Sequence, residues 1–359
     1  MLTEERDKRI MHRIVCEDLE AILATEVDWN SLKGKSVLIT GANGFLPAYM
    51  IESILMLNAR HDLNCKITGG VRDIQKACKR FYDYRHRSDI CFIELDVSKE
   101  INISGRFDYI IHAASPASPK LFGIDPVGTM LANLHGTNQL LMLANEWGSE
   151  RFLFLSTGEV YGDVSPEKIP TSESDYGYID ILNVRSCYCE SKRAAETLIV
   201  SYLKQYGVPS VIVRPFHTYG PGMNLDDGRV FADFVNSAVK GSDIILASDG
   251  SAVRAFCYLS DAVSGFFTAL FNGKIGEAYN VGNPFGAISI KHLAEMVAGL
   301  RKELSLKVRT STRDADDVYI PSPIKTNSPD ISAISKLGWK PTVMPEAGFG
   351  RTIKYYTDV

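Results

Sequence analysis

Two residues four positions apart, Tyr188 and Lys192, have the types and the spacing to do acid–base chemistry together. One helical turn separates them, so both side chains can face the same pocket. A phenol is a poor base at neutral pH, because its reference pKa is about 10. An ammonium group beside it favours the phenolate, which can take the proton of a substrate hydroxyl while a hydride leaves the same carbon. The pair therefore indicates oxidation of an alcohol, if another element holds a hydride acceptor.

A second reactive group lies about thirty residues earlier, in the stretch FLFLSTGEVYGDV at 152–164. An apolar run typical of a buried strand ends there in Ser156, Thr157 and Glu159. A hydroxyl at that point can form a hydrogen bond with a ligand, and a carboxylate can accept or donate a proton. A salt bridge at the strand end is the other role open to Glu159.

The hydride acceptor has a candidate site near the start of the chain. ITGANGF at 39–45 places Gly41 and Gly44 directly after a β-rich run and opens a helical pattern. Such glycines allow a tight turn, and the helix N-terminus can bind the pyrophosphate of a dinucleotide. Pro47 occupies the position where a third small residue is usual. Proline is tolerated in the first turn of a helix, so we expect the fold to survive with different local packing.

These residues must be positioned by alternating strands and helices. The predicted strands are 35–40, 65–71, 90–97, 107–115, 151–157 and 210–216, and predicted helices include 127–147 and 191–206. Strands that are apolar throughout and alternate with helices indicate a parallel sheet covered on both faces. The expected fold class is α/β, a Rossmann-type doubly wound parallel sheet with a smaller C-terminal α/β substrate lobe.

The change in pattern along the chain suggests a domain division. We expect an N-terminal helical extension over 1–32, packed on the body or on a neighbouring subunit. The dinucleotide-binding domain is expected over 33–215, with 255–285 returning to it. Residues 216–254 and 286–359 are then expected to form the smaller substrate lobe.

The second predicted strand bears on the choice between NAD and NADP. NAD sites often end this strand with an acid that binds the ribose 2′-hydroxyl. Here Val71 takes that place and Arg72 follows, and an arginine can bind a 2′-phosphate. A solvated surface role is equally open to Arg72, so NAD is expected and NADP is not excluded. Asp96 can receive the adenine amino group or cap the end of its strand.

From about Lys33 to the C-terminus the chain resembles the extended short-chain dehydrogenases/reductases of the nucleotide-sugar epimerase/dehydratase group. Within that group it is most similar to the UDP-glucuronate decarboxylases. The motifs that carry the resemblance are HAASPAS at 112–118, STGEVYGD at 156–163, YCESKRAAET at 188–197, RPFHTYGPG at 214–222, DDGRVFADF at 226–234, VRAFCYLSDAVSG at 253–265 and NVGNP at 280–284.

The resemblance implies roles for individual residues. Thr157, Glu159, Tyr188 and Lys192 match the catalytic positions. The implied cofactor-binding residues are Gly41, Asn43, Gly44, Phe45, Leu46, Arg72, Asp96, Val97, Ala113, Ala114, Ser115, Tyr188, Lys192, Pro215 and His217. The implied substrate-binding residues are Ser118, Glu159, Arg185, His217, Tyr219, Arg229 and Arg254. Of these, Arg229 and Arg254 would hold the diphosphate and Tyr219 would line the substrate loop. No metal is implied.

Three positions depart from the decarboxylase pattern. Gly158 replaces a serine, and because the 4,6-dehydratases carry an aspartate there, simple 4,6-dehydration is disfavoured. His217 replaces an asparagine. Asn327, in PIKTNSPDI at 323–331, replaces an arginine that would meet the uronate. One charge-assisted hydrogen bond is worth about 1.5–3 kcal/mol, so its loss should weaken uronate binding tenfold or more unless Arg185 or Lys325 substitutes.

Composition excludes several other classes of protein. Net charge is -4 and basic tracts are absent, which argues against nucleic acid as a partner. Seven scattered cysteines indicate reduced thiols and a cytoplasmic protein. Apolar runs are too short to span a membrane, and the N-terminus is not typical of a signal peptide. The resemblance adds the expectation of a homodimer built through two helices per subunit.

The expected function is therefore that of an NAD(P)-dependent enzyme acting on a nucleotide-diphosphate sugar through transient oxidation at C4. Decarboxylation of UDP-glucuronate is the nearest analogy. Epimerisation at C3, C4 or C5 is the main alternative, and a non-catalytic cofactor-binding scaffold is the other.

Overall fold

The computed structural model describes residues 12–311, 322 and 324–358. Its α-helices are α1 Arg13–Leu23, α2 Phe45–His61, α3 Ile74–Arg80, α4 Pro119–Ile124, α5 Pro126–Trp147, α6 Ser186–Tyr206, α7 Val230–Lys240, α8 Leu259–Asn272, α9 Ile290–Gly299, α10 Ser332–Ser335 and α11 Pro345–Thr357. Its strands are β1 Ser36–Thr40, β2 Lys66–Val71, β3 Ile90–Glu94, β4 Tyr109–His112, β5 Arg151–Leu155, β6 Ser210–Pro215, β7 Thr218–Tyr219, β8 Ile244–Leu246, β9 Val253–Ala255, β10 Cys257–Tyr258, β11 Ala278–Val281, β12 Ala287–Ser289, β13 Val308–Thr310 and β14 Thr326–Asn327. None of these helices is long and apolar enough to cross a membrane.

The central sheet consists of seven parallel strands in the order β11-β6-β5-β4-β1-β2-β3. The predicted doubly wound parallel sheet is thus confirmed, and each predicted strand is present with bounds shifted by a few residues. The strand order reverses where β1 lies between β2 and β4, with Thr40 beside both Gly70 and His112. A crevice beyond the carboxyl ends of such strands is the usual ligand site of this architecture.

The apolar character of the strands follows from burial on both faces. In β1, Val37 and Ile39 pack into the cluster beneath α1, α2 and α8, whereas Leu38 packs into the cluster beneath α5 and α6. Successive side chains point to opposite faces, so every position of the strand must be apolar. The helix α6 begins at Ser186, five residues before its predicted start, and therefore includes Tyr188.

A further hydrophobic cluster lies beyond the carboxyl ends of the main sheet. It is formed by α7, α9, α11 and the short strands around them, and its centre includes Tyr219, Phe234, Leu293 and Phe349. This is the smaller C-terminal lobe that was predicted. The domain boundaries stay a prediction, and residues 1–11, 312–321, 323 and 359 of the predicted segments lie outside the described residues.

The predicted N-terminal helix is present as α1, and it packs on the body of its own chain. Its apolar side joins the core beneath the sheet. Its polar side is held by the C-terminal helix, because Arg351 donates to Asp18 at 2.8 Å and to Glu17 at 2.8 Å. Tyr258 donates to Asp18 at 2.9 Å as well. Burial raises the pKa of Asp18 to about 6, although both partners oppose that change.

Candidate active site

A cavity of about 1260 Å³ lies where the carboxyl ends of the central strands meet the smaller lobe. The predicted site residues that line it are Gly41, Asn43, Gly44, Phe45, Leu46, Arg72, Asp96, Val97, Ala113, Ala114, Ser115, Ser118, Thr157, Glu159, Arg185, Tyr188, Lys192, Pro215, His217, Arg229 and Arg254. Their convergence is a fact of the geometry, and the role of each residue stays a prediction.

Tyr219 is the predicted site residue that the structure places elsewhere. It is absent from the described lining of the cavity, its side chain is fully buried, and its ring stacks on Phe349 with centroids 3.9 Å apart. The expectation that it lines the substrate loop is therefore wrong. The physical reason is that Tyr219 belongs to the short strand β7, which directs its ring into the core of the smaller lobe.

The Gly-rich turn at one end of the cavity fits a dinucleotide. Gly41 has a positive φ of 66°, and a Cβ at this position would lie 2.9 Å from the Cα atom of Ala114. Gly44 is the N-cap of α2 and has no side chain to bind the first amide groups of that helix. Those amides can bind the pyrophosphate of NAD. Pro47 sits inside the first turn, as expected.

The two residues predicted to bind the adenosine part of the cofactor have different surroundings. The Oδ1 atom of Asp96 accepts from Ser98 Oγ at 2.7 Å and from its backbone N–H at 3.1 Å, so Asp96 caps its own turn. Burial opposes its ionisation, but these bonds hold the pKa of Asp96 below its usual value. Arg72 is exposed at the cavity wall. This position allows contact with a ribose or its phosphate.

Tyr188 and Lys192 project from the first two turns of α6 into the cavity. Lys192 is buried, donates to the carbonyl of Leu155 at 2.7 Å and lies 4.5 Å from the ring centroid of Phe154. Burial lowers the pKa of Lys192 to about 7, partly offset by Glu196. The ring of Tyr188 stacks on Phe122 of α4, with centroids 4.8 Å apart. Phe122 is a partner that the sequence pattern does not predict.

The environment of the Tyr188 phenol is set by burial and by neighbouring charge. Burial raises the pKa of Tyr188 to about 12, and the negative charge of Glu159 adds to this effect. A hydrogen bond with Thr157 and the positive charge of Arg229 act in the opposite direction. The hydrogen bond with Thr157 and the electrostatic interaction with Glu159 bring three of the four predicted catalytic residues together, with Lys192 one turn further along the helix.

The loop after β5 positions Thr157 and Glu159. Thr157 Oγ1 accepts from the N–H of Glu159 at 3.2 Å and caps the short 3₁₀ turn Gly158–Tyr161. A Cβ at Gly158 would lie 2.9 Å from the ring of Phe216, which is buried. Gly158 therefore lets the loop pack directly on Phe216, which explains the absence of a side chain where the decarboxylase pattern has serine.

Glu159 forms a bidentate ion pair with Arg185. The Nη1 group donates to Oε2 at 2.8 Å, and the Nη2 group donates to Oε1 at 3.1 Å. The side chain of Arg185 is 8% exposed and that of Glu159 is 24% exposed. The sequence places both residues at the site, but it does not reveal that they bind each other. Their separation of 26 positions has no periodicity from which pairing could be read.

A second buried network lies behind the loop, and the sequence analysis does not predict it. Glu196 accepts from Ser156 Oγ at 2.5 Å and from Arg214 at 2.6 and 3.0 Å. Arg214 also donates to the hydroxyl of Tyr161 at 2.8 Å. The one available signal was the position of Glu196, four residues after Lys192 and hence on the same side of α6. This network fixes the end of β5.

Two arginines that were predicted to bind substrate line the cavity. Arg254 donates to the carbonyls of Val253 at 2.8 Å, Lys325 at 3.0 Å and Ile324 at 2.7 Å. Arg229 lies 3.1 Å from a carboxylate oxygen of Asp227. Both guanidinium groups line the cavity, so they can bind a diphosphate.

Ser118 and His217 complete the polar wall. Ser118 Oγ donates to the carbonyl of Asp227 at 2.6 Å and thereby joins the two lobes across the cavity. Burial, together with Arg254, Arg229 and Arg185, holds the pKa of His217 well below its usual value. His217 is thus a neutral hydrogen-bonding group at neutral pH.

The position where an arginine was expected carries a neutral amide without a partner for its oxygen. Asn327 lines the cavity, is 7% exposed, and pairs with Arg254 in the β9–β14 register. Its Oδ1 atom is buried and accepts no hydrogen bond from the described residues. The side chain of Lys325 is exposed and outside the described lining of the cavity, so it is poorly placed to replace the missing charge.

Comparison with known proteins decides the family. The pattern of the NAD dependent epimerase/dehydratase family matches residues 37–282, which is more than half of the chain. The chain belongs to this family. Members take their name from NAD, and the Gly41–Gly44 turn is the feature of this chain that fits that cofactor.

The relatives within the epimerase/dehydratase family include decarboxylases. The chain is 36% identical to UDP-glucuronic acid decarboxylase 6 from Arabidopsis thaliana over 319 residues, which is 87% of this chain and 86% of that one. It is 34% identical to UDP-glucuronic acid decarboxylase 1 from Xenopus tropicalis over 328 residues, which is 90% of this chain and 72% of that one.

Solved structures of the epimerase/dehydratase family share the fold. UDP-glucuronic acid 4-epimerase from Bacillus cereus, in complex with UDP-glucuronic acid and NAD, has a TM-score of 0.76 and 24% identity, covering 90% of this chain and 99% of that one. dTDP-glucose 4,6-dehydratase from Bacillus anthracis, in complex with NAD, has a TM-score of 0.73 and 19% identity, covering 90% and 97%.

Proposed function

We propose that this protein oxidises C4 of a nucleotide-diphosphate sugar, changes a neighbouring carbon and reduces C4 again, with UDP-glucuronate decarboxylation as its reaction. The observation that carries the proposal is the convergence of Thr157, Tyr188, Lys192 and Glu159 on one cavity beside the dinucleotide turn. Similarity to UDP-glucuronic acid decarboxylases over 87% of the chain supports the choice of reaction.

Three residues and the cofactor have separate roles in the proposed oxidation of C4. NAD, when bound, accepts a hydride from C4 and later returns it. Tyr188 takes the proton of the C4 hydroxyl, and Thr157 donates a hydrogen bond to the same oxygen. Lys192 supplies positive charge that favours the phenolate of Tyr188.

The C4 ketone then makes decarboxylation possible. The bond between C5 and the carboxylate breaks, carbon dioxide leaves, and the electron pair of that bond is delocalised into the ketone as an enolate. A proton must then be delivered to C5, and Glu159 lies beside Tyr188 where it can relay protons to or from a neighbouring carbon. Arg229 and Arg254 would hold the diphosphate, which is the part of the substrate that does not react.

Epimerisation without loss of carbon dioxide is a second candidate, and Asn327 is the observation that favours it. The Oδ1 atom of Asn327 is buried without a donor among the described residues, and as an acceptor it favours a hydroxyl over a carboxylate, which could bind only the amide N–H groups. A sugar with a hydroxyl group at this point would satisfy the Oδ1 atom of Asn327.

The test is incubation of the purified protein with UDP-glucuronate, followed by mass spectrometry and NMR of the sugar. Decarboxylation yields a pentose nucleotide and carbon dioxide, and epimerisation yields an isomer of unchanged mass. Reduced NAD should show no net change in either reaction. The Tyr188→Phe variant should lose turnover, and full activity in that variant would refute the proposal. Absence of any product from UDP-glucuronate and from neutral UDP-sugars would do the same.

Choice of cofactor can be tested separately. We propose NAD, since the family takes its name from that cofactor. Arg72 at the cavity wall is the residue that could accommodate NADP. Titration of the protein with each cofactor should show tighter binding of NAD. The Arg72→Ala substitution should weaken the binding of NADP more than the binding of NAD. Tighter binding of NADP by the unaltered protein would reverse the assignment.

We also propose a homodimer formed by α5 and α6 in a cytoplasmic protein. Exposed apolar residues on these helices support the first point: Val127, Met130, Leu131, Met142 and Val200. All seven cysteines are free thiols, which supports a reducing compartment. Light scattering at monomer mass would contradict the dimer, and Met142→Lys should weaken it while leaving the fold intact.

A further inference from the structure

The ion pair between Glu159 and Arg185 has a geometry that constrains both carboxylate oxygens. Two nearly parallel N–H···O bonds of 2.8 and 3.1 Å join the planar guanidinium to the carboxylate. Such bidentate pairs fix orientation as well as distance. Glu159 therefore has a defined direction in the cavity although its side chain is partly exposed.

Arg185 is itself held by the N-terminal turn of the catalytic helix. It precedes α6 directly, and its backbone N–H donates to the side-chain oxygen of Asn183 at 3.0 Å. The next residue, Ser186, donates through its hydroxyl to the carbonyl of Asp180 at 2.6 Å. The guanidinium also lies 5.8 Å from the ring centroid of Phe122, which stacks on Tyr188. One anchored turn thus carries both Arg185 and Tyr188.

The pair of Glu159 and Arg185 also determines the net charge beside the Tyr188 phenol. The titratable and charged groups around Tyr188 and Glu159 are Arg185, Cys189, Lys192, His217 and Arg229. The carboxylate of Glu159 opposes formation of the phenolate, and Arg185 is the cation bound directly to that carboxylate. Without this partner, the full negative charge of Glu159 would stand beside the phenol.

We propose that Arg185 is a positioning residue that aims Glu159 at the carbon next to C4 and neutralises it toward Tyr188, and that it does not read the substrate carboxylate. Glu159 takes one N–H of each Nη group, so a uronate could reach only the remaining N–H groups of a guanidinium that Glu159 already orients. The proposal rests on the proposed function only in that Glu159 moves a proton during turnover.

The test is a double-mutant cycle with Arg185→Gln, Glu159→Gln and the combined variant, each with NAD and UDP-sugar. Arg185→Gln should lower kcat about 10–100-fold with little change in KM, because a displaced Glu159 is slow in its proton transfer. Reduced NAD should accumulate after substrate is added, since C4 oxidation precedes the slow step. Arg185→Lys should recover part of the rate by retaining the charge.

The discriminating result is the effect of Arg185→Gln in the Glu159→Gln background. No further loss of kcat is expected there, because no carboxylate remains to be aimed. An equal further loss would show a structural role and overturn the proposal. A KM increase for UDP-glucuronate without a similar increase for UDP-glucose would overturn it too, since that pattern means carboxylate recognition.

Two controls separate this inference from the proposed function. Arg193→Gln removes another arginine of α6, which pairs with Glu190 at 3.0 Å away from the cavity, and it should retain full activity. Thermal unfolding followed by circular dichroism shows whether each variant is folded. If the unaltered protein converts no nucleotide sugar, the proposed function fails. If it does convert one and the cycle shows the additive result, only the role of Arg185 fails.

Discussion

Two glutamate–arginine pairs flank the short loop after β5, and they differ in what surrounds them. Glu196 and Arg214 lie behind the loop, where their side chains are 11% and 3% exposed. Ser156 and Tyr161 complete that network. Burial alone would lower the pKa of Arg214, but the bonds to Glu196 raise it instead. Every charge there is matched, as a buried ion pair requires.

The pair on the cavity side is built differently. Glu159 is 24% exposed, and within the described part of the chain its side chain forms an ion pair with Arg185. A carboxylate with access to the cavity can exchange protons with a substrate, whereas the carboxylate of Glu196 is held by Ser156 and Arg214 and is outside the described lining of the cavity. The same two residue types therefore form an enclosed pair on one side of the loop and, on the other, a pair open to the cavity for which we propose a role in proton transfer.

The largest expected effect is on catalysis by the exposed pair. Glu159→Gln removes the proton-transfer group but keeps its shape, so product formation should fall about 10²–10⁴-fold. The melting temperature should change little. Rates of UDP-sugar conversion measure this, with Glu190→Gln as the control on the far side of α6. Unimpaired turnover in Glu159→Gln would remove the contrast between the two pairs.

Next comes the stability of the enclosed pair. Arg214→Met leaves the buried Glu196 carboxylate without its partner, and the free energy of unfolding should fall by about 3–5 kcal/mol. Urea unfolding measures the loss. The double variant Arg214→Met/Glu196→Leu removes both charges and should recover part of the stability. A single variant as stable as the unaltered protein would show that this network is not structural.

A substitution in the loop between the two pairs should reduce stability by a smaller amount. Gly158→Ser places a Cβ 2.9 Å from the ring of Phe216, so the loop or the ring must shift at a cost of about 1–3 kcal/mol. Thermal unfolding should detect it. Gly299→Ser is the control, since a Cβ there meets no atom within 4 Å. Equal stability of the two variants would mean that the Phe216 ring can shift at little cost in free energy.

Restoring the missing charge should have the smallest effect. Asn327→Arg adds a cation at the cavity, and a gain of about 1.5 kcal/mol would lower KM for UDP-glucuronate roughly tenfold. Lys325→Met, a change to an exposed side chain, should leave KM unchanged. An unaltered KM in Asn327→Arg would mean that residue 327 does not face the carboxylate.

Prediction from sequence succeeded where local pattern decides the structure. The apolar strands, the Gly41–Gly44 turn and the one-turn spacing of Tyr188 and Lys192 follow from periodicities of two and 3.6 residues. Each of these features is present in the fold.

The features that could not be predicted depend on contacts between segments that are distant in the sequence. The pairing of Arg185 with Glu159 and of Arg214 with Glu196 arises only when α6 packs against the sheet. Tyr219 was misplaced because a motif shows that a residue is near a site, not which way its side chain points. The stacking of Phe122 on Tyr188 depends on α4, which had no periodic signal of its own.

The close packing of Phe216 on Gly158 also limits how this loop can change over evolutionary time. Gly282 packs on the same side chain, since a Cβ there would lie 2.9 Å from Phe216 Cβ. A serine at position 158 is thus tolerated best after the ring has become smaller, and a smaller ring alone leaves a void. The effects of substitutions at Gly158 and Phe216 on stability should therefore not be additive, and a serine at 158 should cost less in a protein whose residue 216 is already smaller.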